Sequence, residues 1–281
     1  MNFNSYWYLG LGSISLFLLF YVLYKKRNKP VILLFLAMVG VGYIIEGVIY
    51  NFLHSYQYFP KIIKSNLVYD SAVGAIASNA LALPVAATFI AALRKNWFWI
   101  FALIGLFAGI EWLFLKLQIY SHNWWRTEYT ALGLPFYFMT AKWIYQKILQ
   151  PLKDVKHFII LFLIIGPIAA SFNFTPIMLF SNRYYQLGWF DNIYLDTTAF
   201  SAIYYLAACL LYIVLAKTNW RYSWLKYVIS VVCIYSANHL LKKLDILHSL
   251  VWWDIWYYLL LSIVILKITI FISRRLSFRS C

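Results

Sequence analysis

The sequence predicts an all-α polytopic transmembrane bundle of about nine spans, and three observations predict it. Hydrophobic residues make up 64% of the 281 and charged residues 12%, with a mean hydropathy of +0.72. That leaves too little polar surface to cover a soluble globule of this length. Apolar runs of roughly 20 residues, the length that crosses a hydrocarbon core as a helix, recur between short charged stretches. They do not alternate every second residue as the strands of a barrel would, and helices satisfy their own backbone hydrogen bonds in lipid.

The elements follow in order. Met1 to Ser5 carry no basic region, and the first positive cluster, Lys25, Lys26, Arg27 and Lys29, comes after the apolar run 6–24. This is the polarity of an uncleaved first span with its N-terminus outside. The further runs are 31–53, 72–93, 97–118, 130–149, 157–181, 197–216, 223–241 and 249–272. Lys142 and Lys147 interrupt the fifth, and a re-entrant fifth segment would leave eight spans. Alternating nine spans from an external N-terminus gathers most Lys and Arg on the cytoplasmic side and puts the C-terminus inside, as the positive-inside rule requires. The acidic residues have little weight in that rule, yet all but Asp154 fall outside or in the outer part of a span. The loops around 54–71 and 182–196 are too short for a soluble domain, so residues 1–281 read as a single integral membrane domain of a bacterial cytoplasmic (plasma) membrane.

The net charge of +15 does not point to nucleic acid, because the basic residues stand in small clusters at span ends rather than along one soluble face. The lipid bilayer is the expected partner, and oligomeric state is left open. Cys209, Cys233 and Cys281 are scattered and suggest neither a disulfide framework nor a zinc site. No cofactor motif occurs, and the histidines, His54, His122, His157, His239 and His248, lack the HExxH spacing of a zinc enzyme, so no metal is expected. GxSxG and GxxxxGK[ST] are also missing, and no catalytic residue is assigned.

The candidate site is a layer of polar groups within the spans. Glu46 and Glu111 lie in otherwise apolar runs at nearly the same depth, about 10 Å inside the outer end at 1.5 Å per residue. An intramembrane carboxylate is costly and marks a functional site by default. Asn79 and Asn173 fall near the same level. Asp70, His122, Trp124 and Trp125 stand at the outer rim above it and complete the predicted ligand-binding set. Gly105 and Gly109 form a GxxxG, and span three is slim, with Ala72, Gly74, Ala75, Ala77 and Ser78; packing of spans three and four through these faces would draw Asn79 and Glu111 together. Pro84, Pro167 and Pro176 are expected to break backbone hydrogen bonds near the layer. Tryptophans and tyrosines crowd the outer rim more than the inner, which suits a cation–π or stacking surface as well as an interfacial belt. Ile45-Glu46 and Ile110-Glu111, each followed by aromatic residues and a histidine, form a faint echo between spans two and four.

Tyr43-Ile-Ile-Glu46, Tyr58-Phe-Pro-Lys61 and Gly109-Ile-Glu111-Trp112, followed by His122-Asn-Trp-Trp-Arg126 and Tyr129-Thr130, resemble small uncharacterised multi-pass membrane proteins of spore-forming Gram-positive bacteria. The resemblance covers mainly the first half and implies no activity. The residues themselves favour an extracytoplasmic-facing polar pocket that binds or transports a small cationic or polar solute. The alternatives are a membrane enzyme acting on a lipid-linked substrate, with a glutamate as base and Asp70, His122 or Arg126 assisting, and a non-catalytic sensor or scaffold subunit.

Overall fold

The computed structural model describes residues 2–277, and among them the chain forms nine helices. These are α1 (Phe3–Lys26), α2 (Lys29–Phe52), α3 (Leu67–Ala92), α4 (Trp97–Lys116), α5 (Thr127–Ile148), α6 (Asp154–Phe180), α7 (Ile193–Lys217), α8 (Leu225–Lys243) and α9 (Asp254–Ser277). All except α5 and α8 are long and apolar enough to cross a membrane, so the chain is an integral multi-pass protein. Starts are set by local chemistry: Asn66 and Asn192 accept backbone N–H groups of the first turns of α3 and α7, and Pro30 opens α2.

Two helices widen into π turns, over Gly47–Phe52 in α2 and Ile76–Ala82 in α3. The second precedes Pro84, which has no N–H to return to the preceding turn, as its place in the sequence suggested. In α6 the helix runs on through Pro167 and Pro176, each of which likewise has no N–H to return to the preceding turn.

Four three-residue strands, which hydropathy did not foreshadow, join the helices at one end of each unit. β1 (Tyr56–Tyr58) pairs antiparallel with β2 (Tyr120–His122), and β3 (Arg183–Tyr185) with β4 (Leu247–Ser249). The first pairing places the α2–α3 and α4–α5 connections side by side; the second does the same for α6–α7 and α8–α9.

The contacts group the chain, expected as one membrane domain, into two compact units, Met1–Gln150 and Pro151–Cys281. In the first, α3 is central: 67% of its most apolar stretch is buried against α1, α2 and α5, whereas only 11% of that of α4 is. Here the expectation of α3 packing on α4 through the GxxxG needs correction. The chief neighbour of α4 is α5, and a Cβ added at Gly105 or Gly109 would meet nothing within 4 Å. Close approach is needed at Gly42 and Gly74, where an added Cβ would come within 2.9 Å of the Asn79 carbonyl oxygen and 2.3 Å of Tyr58 Cβ. In the second unit α9 touches α6, α7 and α8.

From α2 onward the units share one order: helix, strand, helix, helix, strand, helix. A single sequence offset carries Tyr56 to Arg183 and Tyr120 to Leu247. The same offset maps the left-handed residues Arg27, His54, Lys61 and Gln118 onto Asp154, Ser181, Gly188 and Asp245, all with positive φ. It also maps backbone bonds between connections, Phe59 N–H to Ile119 O onto Gln186 N–H to Ile246 O, and Asn123 N–H to Ser55 O onto Leu250 N–H to Asn182 O. The chain therefore holds two copies of one fold, preceded by α1. The echo between Glu46 and Glu111 belongs to a shorter period, the helix–strand–helix half repeated within a unit.

Candidate functional site

A cavity of about 200 Å³ lies inside the first unit. Its walls come from α1 (Tyr8, Leu11), α2 (Gly42, Ile45, Glu46, Ile49), α3 (Ser78, Asn79, Ala82, Leu83), α4 (Phe107, Ile110, Glu111, Phe114) and α5 (Tyr129, Thr130, Gly133, Leu134, Tyr137), and Tyr56, Tyr58, Tyr120 and Trp125 close it at the ribbon end. The lining is largely apolar and aromatic with a few polar groups, the usual make-up of a small-molecule site.

Glu46 is the last residue before the π turn of α2 and is buried. Its Oε2 accepts two hydrogen bonds, from the Tyr56 hydroxyl at 3.0 Å and from the Asn79 amide. Its Oε1 has no hydrogen-bond partner among the described residues. Asn79 can reach it because the π turn of α3 passes over Gly42. A buried polar atom left without a partner costs about 1–3 kcal/mol, more for a charged group, so this oxygen is a standing demand for a donor.

Glu111, whose side chain is 10% exposed, is better provided for. His122 Nε2 lies 2.7 Å from its Oε1, and the Thr127 hydroxyl donates to the same oxygen at 3.2 Å. The two carboxylates line one cavity but differ in company: a phenol and an amide for Glu46, an imidazole and a hydroxyl for Glu111.

The ribbon supplies a floor of rings. Tyr56 stacks on Tyr50 at 5.7 Å between centroids, and meets Trp125 edge-on at 5.7 Å; Tyr58 and Tyr120 lie 4.9 Å apart. Burial, first, and then the neighbouring carboxylates and phenols push the hydroxyls of Tyr56, Tyr58 and Tyr120 far above the ordinary tyrosine range. All three therefore stay protonated and able to donate.

The remaining predicted residues are placed elsewhere. Asp70 is buried in the first turn of α3, and its carboxylate accepts the backbone N–H groups of Lys61, Ile62 and Ile63 at 2.7–2.8 Å. It shapes the β1–α3 connection and does not line the cavity. Its counterpart Asp196 accepts the N–H groups of Leu187, Gly188, Trp189 and Phe190 in the same way. Trp124 is exposed, with its indole N–H bonded to Leu53 O; Trp125 bonds Thr130 Oγ1 and belongs to the lining. His122 reaches the site through Glu111. Asn173 belongs to the second unit, buried, with its amide on Ala169 O one turn back.

Sequence reasoning missed the polar cluster of the second unit. Arg183, a cation in the connection between α6 and α7, has a fully buried side chain, and its Nε and Nη2 each donate to Asp254 at 2.8 Å. Nη1 donates to Asn238 Oδ1 at 2.8 Å and Tyr185 OH at 3.1 Å, and the guanidinium carbon lies 3.5 Å from the centre of the Tyr258 ring. Asn182 and Ser249 also donate to Asp254. Burial opposes the guanidinium charge, but Tyr185, Tyr258 and Asp254 outweigh it and hold the group protonated above even the ordinary arginine value. The equal spacing of Glu46 to Tyr56 and Asn173 to Arg183 was the available sequence signal.

Compared with protein-family models, curated proteins and solved structures, the chain matches none.

Proposed function

We propose that the first unit is a binding module for a small cationic or polar solute, taken up in the cavity between α2, α3, α4 and α5 and presented from the extracytoplasmic side of a bacterial cytoplasmic membrane. The observation that carries this reading is Glu46: a buried carboxylate in an aromatic cavity, one oxygen satisfied by Tyr56 and Asn79 and the other without a hydrogen-bond partner among the described residues. A ligand donor supplies what the protein withholds. Trp125 and the tyrosines of the ribbon offer ring faces to an apolar or cationic group beside that donor. Transport, in which the occupied site would be exposed alternately to the two faces, is the use we favour for a polar site between spans.

The test is thermal stability of the detergent-purified protein against a library of solutes and lipids, run in parallel on wild type and the Glu46→Gln, Glu111→Gln double variant. A ligand stabilising wild type alone supports the reading. No discrimination anywhere in the library, with the variant at least as stable, removes it.

A second reading draws on the Glu111–His122 contact. A carboxylate bonded to an imidazole at the edge of a cavity is the geometry of general acid–base work, and would suit a membrane enzyme acting on a lipid-linked substrate. Asp70 drops out of that scheme, because the connection before α3 already uses its carboxylate. Product from lipid extract incubated with purified protein, lost on His122→Gln, would favour this reading over simple binding.

A further inference from the structure

The second unit shows how this fold treats a buried charge, and comparing the copies separates the roles of the two glutamates. The offset that aligns the ribbons carries Glu111 to Asn238, His122 to Ser249, Thr127 to Asp254, Tyr56 to Arg183 and Glu46 to Asn173. Each unit keeps one acid–base couple at its ribbon, with the partners exchanged. The first has its base on β2 and its acid on α4; the second has its base on β3 and its acid at the start of α9. Removing that couple from each unit leaves an amide, Asn173, in the second and a carboxylate, Glu46, in the first.

Resting on the reading of the first cavity as a ligand site, we infer that Glu46 is the residue that contacts the ligand, that the ligand is an organic cation of the ammonium or guanidinium class bearing an apolar group, one per chain, and that Glu111 is a positioning residue held by His122. The second unit supplies the pattern for holding such a cation. Arg183 has a carboxylate on one edge, an amide oxygen on another and a phenol ring beneath, and is fully buried. The first cavity offers the same kinds of group, Glu46, Asn79 and the rings of Tyr56, Tyr58 and Tyr120, without a basic residue among its lining. In the second unit the cation is tethered; in the first it must come from solution.

The experiment is calorimetric titration of the full chain in detergent with phenethylammonium and phenethylguanidinium, using 2-phenylethanol as the neutral isostere. Wild type is compared with Glu46→Asn, the residue of the second unit, and with Glu111→Gln; Glu46→Gln replaces Glu46→Asn if the shorter side chain prevents folding. The expected result is one cation per chain, no heat from the alcohol, a loss of roughly tenfold or more in affinity on removing the Glu46 charge, and a smaller loss for Glu111→Gln. Equal binding of the alcohol would overturn the cation class while leaving the cavity a ligand site. A larger loss from Glu111→Gln than from either Glu46 variant would overturn the division of roles. Two sites per chain, or no binding of either cation, would overturn the inference as a whole.

Discussion

The two units are the same fold put to different ends. At the ribbon end of the second, the buried pair meets its complements: the Arg183 guanidinium is bound to Asp254, Asn238 and Tyr185, and Asp254 takes further bonds from Asn182 and Ser249. In the first, the ribbon end holds Glu111 with His122, and one carboxylate, Glu46, with an oxygen lacking a hydrogen-bond partner among the described residues. A duplicated scaffold can keep one copy internally complete and leave the other short of a partner. The cost of that shortage is what a donor brought to the cavity would recover.

The comparison can be broken hardest at Arg183. Asp254→Asn leaves a buried guanidinium uncompensated and should cost about 3–5 kcal/mol, whereas replacing both partners by apolar residues of similar volume should be far milder; thermal unfolding in detergent measures both. Loss of less than a third of that from Asp254→Asn would mean that the pair does not hold the second unit together. Next comes Gly74→Ala, whose Cβ would lie 2.3 Å from Tyr58 Cβ. It should lower stability by about 1–3 kcal/mol through overpacking and also weaken cavity binding, because Tyr58 must move.

The copies should agree at their capping aspartates. Asp70→Asn and Asp196→Asn each weaken several backbone bonds to a carboxylate, and losses of about 1–3 kcal/mol, matched within a factor of two, are expected in the same unfolding assay. They should disagree at the paired positions Glu46 and Asn173. Glu46→Gln should leave stability unchanged within ~0.5 kcal/mol or raise it, since a carboxylate with an unbonded buried oxygen is replaced by an amide, while ligand stabilisation disappears. The smallest effect is forecast for Gly105→Ala and Gly109→Ala, within about 0.5 kcal/mol, as both face open space. A large destabilisation there would restore the GxxxG as a packing face.

Much of the architecture was legible because hydropathy reports on the bilayer. Each of the nine runs coincides with a helix, including 130–149 despite Lys142 and Lys147, and Lys142 turns out to bond the Lys95 carbonyl. The ribbons were illegible because three-residue strands leave no periodic trace, and their sequences read as aromatic loop. Counting residues along helices set Glu46, Asn79 and Glu111 at a common depth, and the three line one cavity. The same arithmetic included Asn173, because depth gives a level and says nothing about which bundle a helix belongs to. Arg183 was missed for the opposite reason: charge in a connecting segment suggests water, and only the pairing of β3 with β4 brings Asp254 to it.

The π turn at Gly47–Phe52 has a geometric consequence for the glutamates. Glu46 stands one residue further from the start of β1 than Glu111 stands from the start of β2, and in α2 the wide turn absorbs that extra residue. An inserted residue in a regular helix would turn everything before it by about 100°; taken up in the wide turn, it leaves Glu46 lining the same cavity as Glu111. The acids of the two half-units therefore share one cavity and differ in their company, Tyr56 and Asn79 for one, His122 and Thr127 for the other. Without that wide turn, the extra residue between Glu46 and β1 would swing its carboxylate away from the cavity that the repeat gives to both.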